Sequence, residues 1–483
     1  MKKIMTNLQV SFTRYRGLLA VLIIVVLASC SNATTQVTET PVPDGPGIPD
    51  PTATPLATEQ EITPEPTPTR PNIAVDPADL SDISIRFAHP WAGEAAEIFE
   101  DIAREFSLTN PWNIWVDVEA YGSETVLLET LQLNLENDDT PSLIAAHPYY
   151  LSALEGYASV DLFDYIDHED WGLDGDEKGD IPQVFLDHFS TGENLRALPV
   201  APQAMVLFYN ETWAEEIGYA SIPTNDDAFR AQACAATEDN LADVNIDNDG
   251  TGGWLINFDP NVMAGWYLAF DGDLAEDAIP QFNDDAGQDA FGYLKSVYDD
   301  GCIWIGRQPE PYFYFANRYA LIYAGTLDQI PAQTGWMTQA ENGDQWSSIG
   351  FPGPNGETTM IVNGPGLSIT ADTLERQMAA WLFAKHLIEP EIQARIVRNL
   401  YTLPVRNSAM QSLSELERQY PQWGQAVSML EIAKTVPVSE GWGIAQWVLQ
   451  DAAYRIFQAP AIEMEGILEE LDSTIEELEG MSP

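Results

Sequence analysis

The chain has 483 residues, with 75 Asp and Glu against 21 Lys and Arg, a formal charge of −54. A surface of that sign repels phosphate, which excludes general nucleic-acid binding and makes a poor match for an anionic lipid surface. Aromatic residues are plentiful (14 Trp, 18 Tyr and 18 Phe), so a large packed core can form.

Lys2, Lys3, Arg14 and Arg16 precede an apolar run from Leu18 to Ala28 that ends in Leu27-Ala28-Ser29-Cys30. The run is too short for a permanent membrane helix, which needs about 20 apolar residues. The pattern resembles a bacterial lipoprotein signal. Residues 1–29 are then a signal peptide, and Cys30 is the lipidated first residue of the mature chain. The rest lies outside the cytoplasm, anchored by lipid to the membrane face. Removing the signal takes away four bases and no acid, which leaves 17 Lys and Arg against the 75 acids. Residues 30–80 read as a disordered linker. Between 31 and 80 there are eleven Pro and ten Thr with few large apolar side chains, too little burial to offset the ordering entropy. About 400 residues remain, which suits two lobes better than one core.

The body opens with a strand over Ile83–Phe87, which His89-Pro90-Trp91-Ala92-Gly93 should break, and a helix over Glu94–Phe106. A strand at Trp115–Glu119, a helix over Ser123–Leu135, an apolar strand at Pro141–Ala146 and a helix from Tyr150 to Tyr157 follow. This alternation predicts an α/β fold with a parallel sheet, whose ligands sit beyond the carboxyl ends of the strands. Those ends carry Trp91, Tyr121 and His147-Pro148-Tyr149-Tyr150, which are aromatic rather than basic. Near the C-terminus, Met464, Leu468, Leu471, Ile475 and Leu478 predict an amphipathic helix docked on a lobe.

From Leu198-Pro199-Val200-Ala201-Pro202-Gln203 to Phe208-Tyr209-Asn210 the sequence resembles the first inter-lobe crossing of extracellular solute-binding proteins of ABC importers, the maltose-binding family. Ile222-Pro223-Thr224 and the strand Tyr319–Thr326, which ends in Gly325-Thr326, are similar to later family segments. So are Val362-Asn363-Gly364-Pro365-Gly366-Leu367-Ser368-Ile369, the helix Met378–Ile396, and Leu403-Pro404-Val405-Arg406. Two positions depart from the pattern: Leu327 stands where the family usually has Trp, and Asp226-Asp227-Ala228-Phe229 replaces its usual Trp-x-Glu-Leu. The resemblance implies a two-lobed periplasmic-binding-protein-like fold of type II. Its first lobe would comprise 81–201 and 364–404, and its second 202–363 and 405–483. It also implies a monomer that binds a solute between its lobes and docks on permease subunits in the membrane.

The aromatic, neutral character of the candidate groups points to a sugar or oligosaccharide. Sugars need flat ring faces together with hydrogen-bond groups satisfied only when the ligand is bound. The expected contacts are Trp91, Tyr121, His147, Tyr149, Tyr150, Gln203, Trp266, Tyr267, Gly325, Thr326 and Trp442. Trp442 lies between Gly441 and Gly443, ahead of a helix over Ile444–Phe457. This reads as a loop that displays the indole, and the position matches a stacking Trp of the family. Cys234 and Cys302 remain after lipidation in an oxidising compartment. A disulfide is expected, with two buried thiols as the other reading.

Asn245, Asp247 and Asp249 begin like an EF-hand loop, but the twelfth position is Ile256 instead of an acid, so an Asx-rich turn is favoured over calcium. The five His show no metal-ligand spacing, and no phosphate loop, nucleophile elbow or zinc-protease motif is present. No cofactor and no catalytic activity are expected. A surface-anchored glycoside hydrolase and a binding module feeding a sensor kinase remain as alternatives.

Overall fold

The computed structural model describes residues 73–479, apart from 155, 275–278 and 308–310. The expected signal peptide, Cys30 and most of the linker lie outside the described residues. The folded body begins before residue 81. Ile73 is buried, Leu80 closes a short turn (Pro77–Leu80) in the core, and a ring nitrogen of His168 lies 2.7 Å from the Ile73 carbonyl.

Strands and helices alternate as β1 (Ser84–His89), α1 (Glu94–Thr109), β2 (Trp115–Ala120), α2 (Glu124–Glu136) and β3 (Leu143–Ala146). α1 buries Ala96, Phe99, Ile102, Ala103 and Phe106, one stripe at helical spacing. α2 starts at Ser123, whose hydroxyl accepts from the Val126 N–H. All four residues of β3 are buried, as in a strand covered on both faces. Two local expectations shift. His89 is the last residue of β1 instead of its breaker. The helix expected over 150–157 is one turn, α3 (Pro148–Ser152), opened by a proline at its first position.

After α4 (Gln183–His188) and β4 (Leu198–Pro199) the chain enters a second sheet through β5 (Gln203–Asn210). There follow α5 (Asp226–Ala242), β6 (Gly252–Ile256), α6 (Pro260–Ala269), α7 (Asp285–Asp299), β7 (Ile303–Ile305), β8 (Ala320–Thr326) and β9 (Thr358–Asn363). The chain returns to the first sheet at β10 (Gly366–Ile369) and runs through α8 (Leu374–Leu387) and α9 (Pro390–Leu400). The single helix expected over 378–396 is therefore two, divided before Pro390, which cannot donate a helical hydrogen bond. The last elements used here are β11 (Ala433–Thr435), α10 (Glu440–Gln458) and α11 (Met464–Glu479). α11 docks its Ile467, Leu468, Leu471 and Ile475 into the second core.

The first sheet has the order β2-β1-β3-β10-β4, with β1 parallel to β2 and β3, and β10 antiparallel to β3 and β4. The main path of the second runs β9-β5-β8-β6-β7. Each sheet has its own core: Phe87, Phe99, Leu143 and Phe383 in one lobe, and Trp254, Trp266, Phe351 and Leu449 in the other. The Sγ atoms of Cys234 on α5 and Cys302 ahead of β7 lie 1.94 Å apart.

Three short passages join the lobes: 199–203, 363–366 and 400–407. They are tied to one another. The Leu403 N–H donates to the Pro202 carbonyl at 2.8 Å, and β9 pairs Asn363 with Gln203. Gly364 has φ +149°, and a Cβ there would lie 3.0 Å from the Ala201 carbonyl oxygen, so this crossing needs glycine.

Candidate functional site

The carboxyl end of β3 points into the space between the lobes. His147 follows β3 and caps α3, whose Tyr149 and Tyr150 pack against the core of the second lobe. Glu124, the first residue of α2, fixes this corner. Its carboxylate accepts from the His147 backbone N–H at 2.7 Å and lies 2.7 Å from the His147 ring Nδ1. Burial pushes the Glu124 carboxyl up, but the His147 charge and hydrogen bonds hold it below its ordinary value.

Tyr149 is 2 % exposed, and its ring belongs to the core of the second lobe although its chain segment comes from the first. Its hydroxyl accepts from Asn363 Nδ2 at 3.5 Å, and the same amide donates to Asn261 Oδ1 at 3.2 Å. The Asn261 N–H donates in turn to Asp259 Oδ1 at 2.8 Å, the cap of α6. One chain of contacts thus runs from Glu124 through His147 and Tyr149 to Asn363, Asn261 and Asp259, from one lobe to the other. Tyr150 stands edge-on to Tyr149 at 4.5 Å and is partly buried. Burial raises its hydroxyl pKa, and the charges adding to that are the carboxylates of Glu124 and Asp259. Burial also raises Asp259, against the bonds from Asn261. The corner is therefore aromatic, rich in hydrogen-bonding groups and without a cation among the charges acting on Tyr150.

The expected contacts separate into those at this corner and those elsewhere. His147, Tyr149 and Tyr150 are at it. Gln203 lies at the foot of the crossings, its Nε2 donating to the Leu400 carbonyl at 3.5 Å and its Oε1 buried without a partner among the described residues. Trp91 stacks on Phe99 with ring centres 4.1 Å apart, at the edge of the first core. Tyr121 turns onto its own sheet and donates to Glu119 Oε2 at 3.0 Å; burial and that carboxylate push its pKa up to about 12.

Trp266 and Tyr267 are corrected to core residues. Trp266 is wholly buried against Phe229 and Trp254, and the Tyr267 hydroxyl is held by Asp284 at 2.9 Å. Gly325 is also a packing residue, since a Cβ there would lie 2.9 Å from the Phe208 ring. The neighbouring Thr326 hydroxyl binds Asp328 at 2.5 Å.

Trp442 is not displayed from a loop. It sits in the first turn of α10, which begins two residues earlier at a Ser439 cap, and it is wholly buried in the second core. At Gly443 α10 meets α3, where a Cβ would lie 3.4 Å from the Tyr149 carbonyl oxygen, an ordinary contact distance. Asn245, Asp247 and Asp249 form a turn of local bonds, Asp247 N–H to Asn245 Oδ1 at 3.2 Å among them, and Ile256 is a buried strand residue.

Glu124, Asp259, Asn261 and Asn363 were not expected at the site. A signal existed for Asp259-Pro260, a cap followed by a helix-starting proline directly after a strand. A separate inter-lobe groove of about 710 Å³ lies between α4 and the 430–435 segment, but no aromatic ring lines it, so it lacks the flat faces a sugar requires.

A family model of bacterial extracellular solute-binding proteins matches residues 101–422, more than half of the chain and spanning both lobes. The chain belongs to this family. As a solute-binding protein it works outside the cytoplasm, and the two lobes about the Tyr149 corner are the family architecture. No curated protein sequence matches it. Solved structures share the fold at low identity. The sugar-binding protein MalE from Xanthomonas citri is 20 % identical, with a TM-score of 0.70 over 82 % of this chain and 96 % of that one. The cyclic alpha-maltosyl-1,6-maltose binding protein from Arthrobacter globiformis is 16 % identical, with a TM-score of 0.67 over 82 % and 99 %. UgpB from Mycobacterium tuberculosis, solved with glycerophosphocholine, is 17 % identical, with a TM-score of 0.63 over 82 % and 99 %.

Proposed function

We propose that this solute-binding protein captures a sugar or oligosaccharide between its lobes and delivers it to the membrane permease of an ABC importer. The observation that carries the reading is the Glu124–Asp259 chain of contacts: ring faces, amides and carboxylates converge from both lobes, and His147, paired with Glu124, is the one basic member of that chain. Sugar hydroxyls can donate to the carboxylates and amides while C–H faces lie on Tyr150. Several structural relatives carry sugars, including a maltotriose-binding protein from Thermus thermophilus at 17 % identity.

In this reading His147, Tyr149, Tyr150 and Gln203 act together with Glu124, Asp259, Asn261 and Asn363. The lobes are 81–201 with 364–404 and 202–363 with 405–483, the first extended to Ile73. Closure is a population shift, since contacts from both lobes exist only in the closed form. The protein binds without turnover and acts as a monomer. Cys234 and Cys302 form a disulfide after export. Cys30 carries the lipid that holds the body at the membrane; replacing it with Ala should release the protein from the membrane fraction, and a variant still processed and membrane-bound would refute the anchor.

The function is tested by a thermal-shift screen of the exported body against neutral saccharides, followed by product analysis of the mixture with the best ligand. Stabilisation without cleavage supports the proposal. Cleavage of the sugar, or stabilisation only by non-sugars, overturns it.

A further inference from the structure

The side of α10 that meets the first lobe does not end where the lobes part. Gly443, Trp447, Gln450 and Tyr454 follow at steps of four, three and four residues, so they share one face of the helix. Gly443 is covered by Tyr149. The next three positions face solvent, with Trp447 69 % exposed, Tyr454 49 % exposed and Gln450 exposed between them. Trp213, Trp254, Trp381 and Trp423, by contrast, are wholly buried. Trp447 thus keeps most of its ring in solvent, and Tyr454 about half of its own, on an otherwise polar helix face.

The ridge is continuous with the site. The Tyr454 ring meets Phe258 edge-on at 5.4 Å, and Phe258 immediately precedes Asp259 of the lobe-crossing chain of contacts. From Gly443 to Tyr454 the face runs about 16 Å along the helix. Ring faces that alternate with an amide match the alternating apolar faces and hydroxyls of a linked sugar chain, by the same chemistry as in the cleft.

We infer that Trp447, Gln450 and Tyr454, with Phe258 beside Tyr454, form an outer sugar-binding ridge. The ligand is then an oligosaccharide whose inner residues lie between the lobes and whose outer residues lie along α10. This rests on the sugar reading of the cleft, which it extends.

The test is calorimetry on the exported body with linear gluco-, galacto-, manno- and xylo-oligosaccharides, α- and β-linked, each from one to six residues. The proteins compared are wild type, Trp447→Ala, Tyr454→Ala and Tyr454→Phe. For the saccharide class that binds, wild-type affinity should rise with length. Trp447→Ala and Tyr454→Ala should each lose roughly tenfold on the longest member, about 1.4 kcal/mol, and nothing on the shortest that binds. Tyr454→Phe should keep the length gain, and Trp447→Ala and Tyr454→Phe should melt like wild type, the first because its side chain is mostly exposed and the second because it keeps the ring on Phe258. A wild type without length gain, a gain untouched by the substitutions (as for a ridge that docks a permease), or an equal loss at every length would overturn the ridge. Binding to no member of the panel would refute the sugar reading itself.

Discussion

Asp180 ties the first lobe to the passage that leaves it for the last time, and its removal has a calculable cost. Its carboxylate accepts from Arg406 Nε at 2.8 Å, from the Ser408 N–H at 2.8 Å and from the Ser408 hydroxyl at 2.5 Å. The two charged side chains are 6 % exposed for Arg406 and 18 % for Asp180. Asp180→Ala leaves the Arg406 guanidinium buried without its counter-charge, a loss of about 3–5 kcal/mol for a fully buried pair. Asp180 keeps some water contact, so the lower end, about 3 kcal/mol, is expected. The double variant Asp180→Ala/Arg406→Met removes both charges and should recover a large part of the loss. Burial pushes the Asp180 carboxyl up, but the bonds from Ser408 and Arg406 hold it below its ordinary value of 3.8. A carboxylate with a lowered folded pKa contributes its full stability above the unfolded value and loses it as acid protonates it in the fold. The difference between wild type and Asp180→Ala should therefore be complete at neutral pH and shrink below about pH 4. Equilibrium urea unfolding of wild type, both single variants and the double variant across pH measures this. A cost under about 1 kcal/mol at neutral pH, or a double variant as damaged as the sum of its parts, would refute the reasoning.

Burial lowers the His89 pKa from 6.5 to about 4, and among the described residues neither ring nitrogen has a partner. Folding favours its neutral form, so stability should be full above about pH 6.5 and fall by up to about 3 kcal/mol towards pH 4; His89→Phe should flatten that limb of the unfolding curve. Trp442→Ala should cost about 3–5 kcal/mol, because the indole is core, and a variant that melts like wild type would return it to the surface. Reduction of the exported protein should lower its stability by up to about 4 kcal/mol, the chain-entropy figure for the closed Cys234–Cys302 loop, and denatured unreduced protein should titrate no free thiol.

Much of the fold could be read directly from the residues, because period and punctuation agreed. β3 is a run of four apolar residues bounded by turn signals, and α1 carries an unbroken stripe. The lobe crossings at 198–210 and 362–369 were legible through their resemblance to family segments. The site was less legible, for physical reasons. Trp442 between two glycines resembles a loop unless the Ser439 cap is given more weight than the glycines. Trp266 and Tyr267 occupy a helix buried all round, where an aromatic pair is core whatever its chemistry. Asn363 and Glu124 are ordinary polar residues in sequence, and only the juxtaposition of two lobes brings them to one corner. Trp447 and Tyr454 share a helix face with Gly443, but helical spacing alone does not reveal that this face adjoins the cleft.

The central claim is that a saccharide binds at the corner where Tyr150 lies between Glu124 of one lobe and Asp259 of the other. The most direct test is a crystal structure of the exported body with the saccharide that stabilises it most. The account predicts a sugar ring on Tyr150, with hydroxyls bonded to Asn261 or Asp259 on one side and Glu124 or His147 on the other. A sugar bound outside the space between the lobes, or in the aromatic-free groove beside α4, would contradict it.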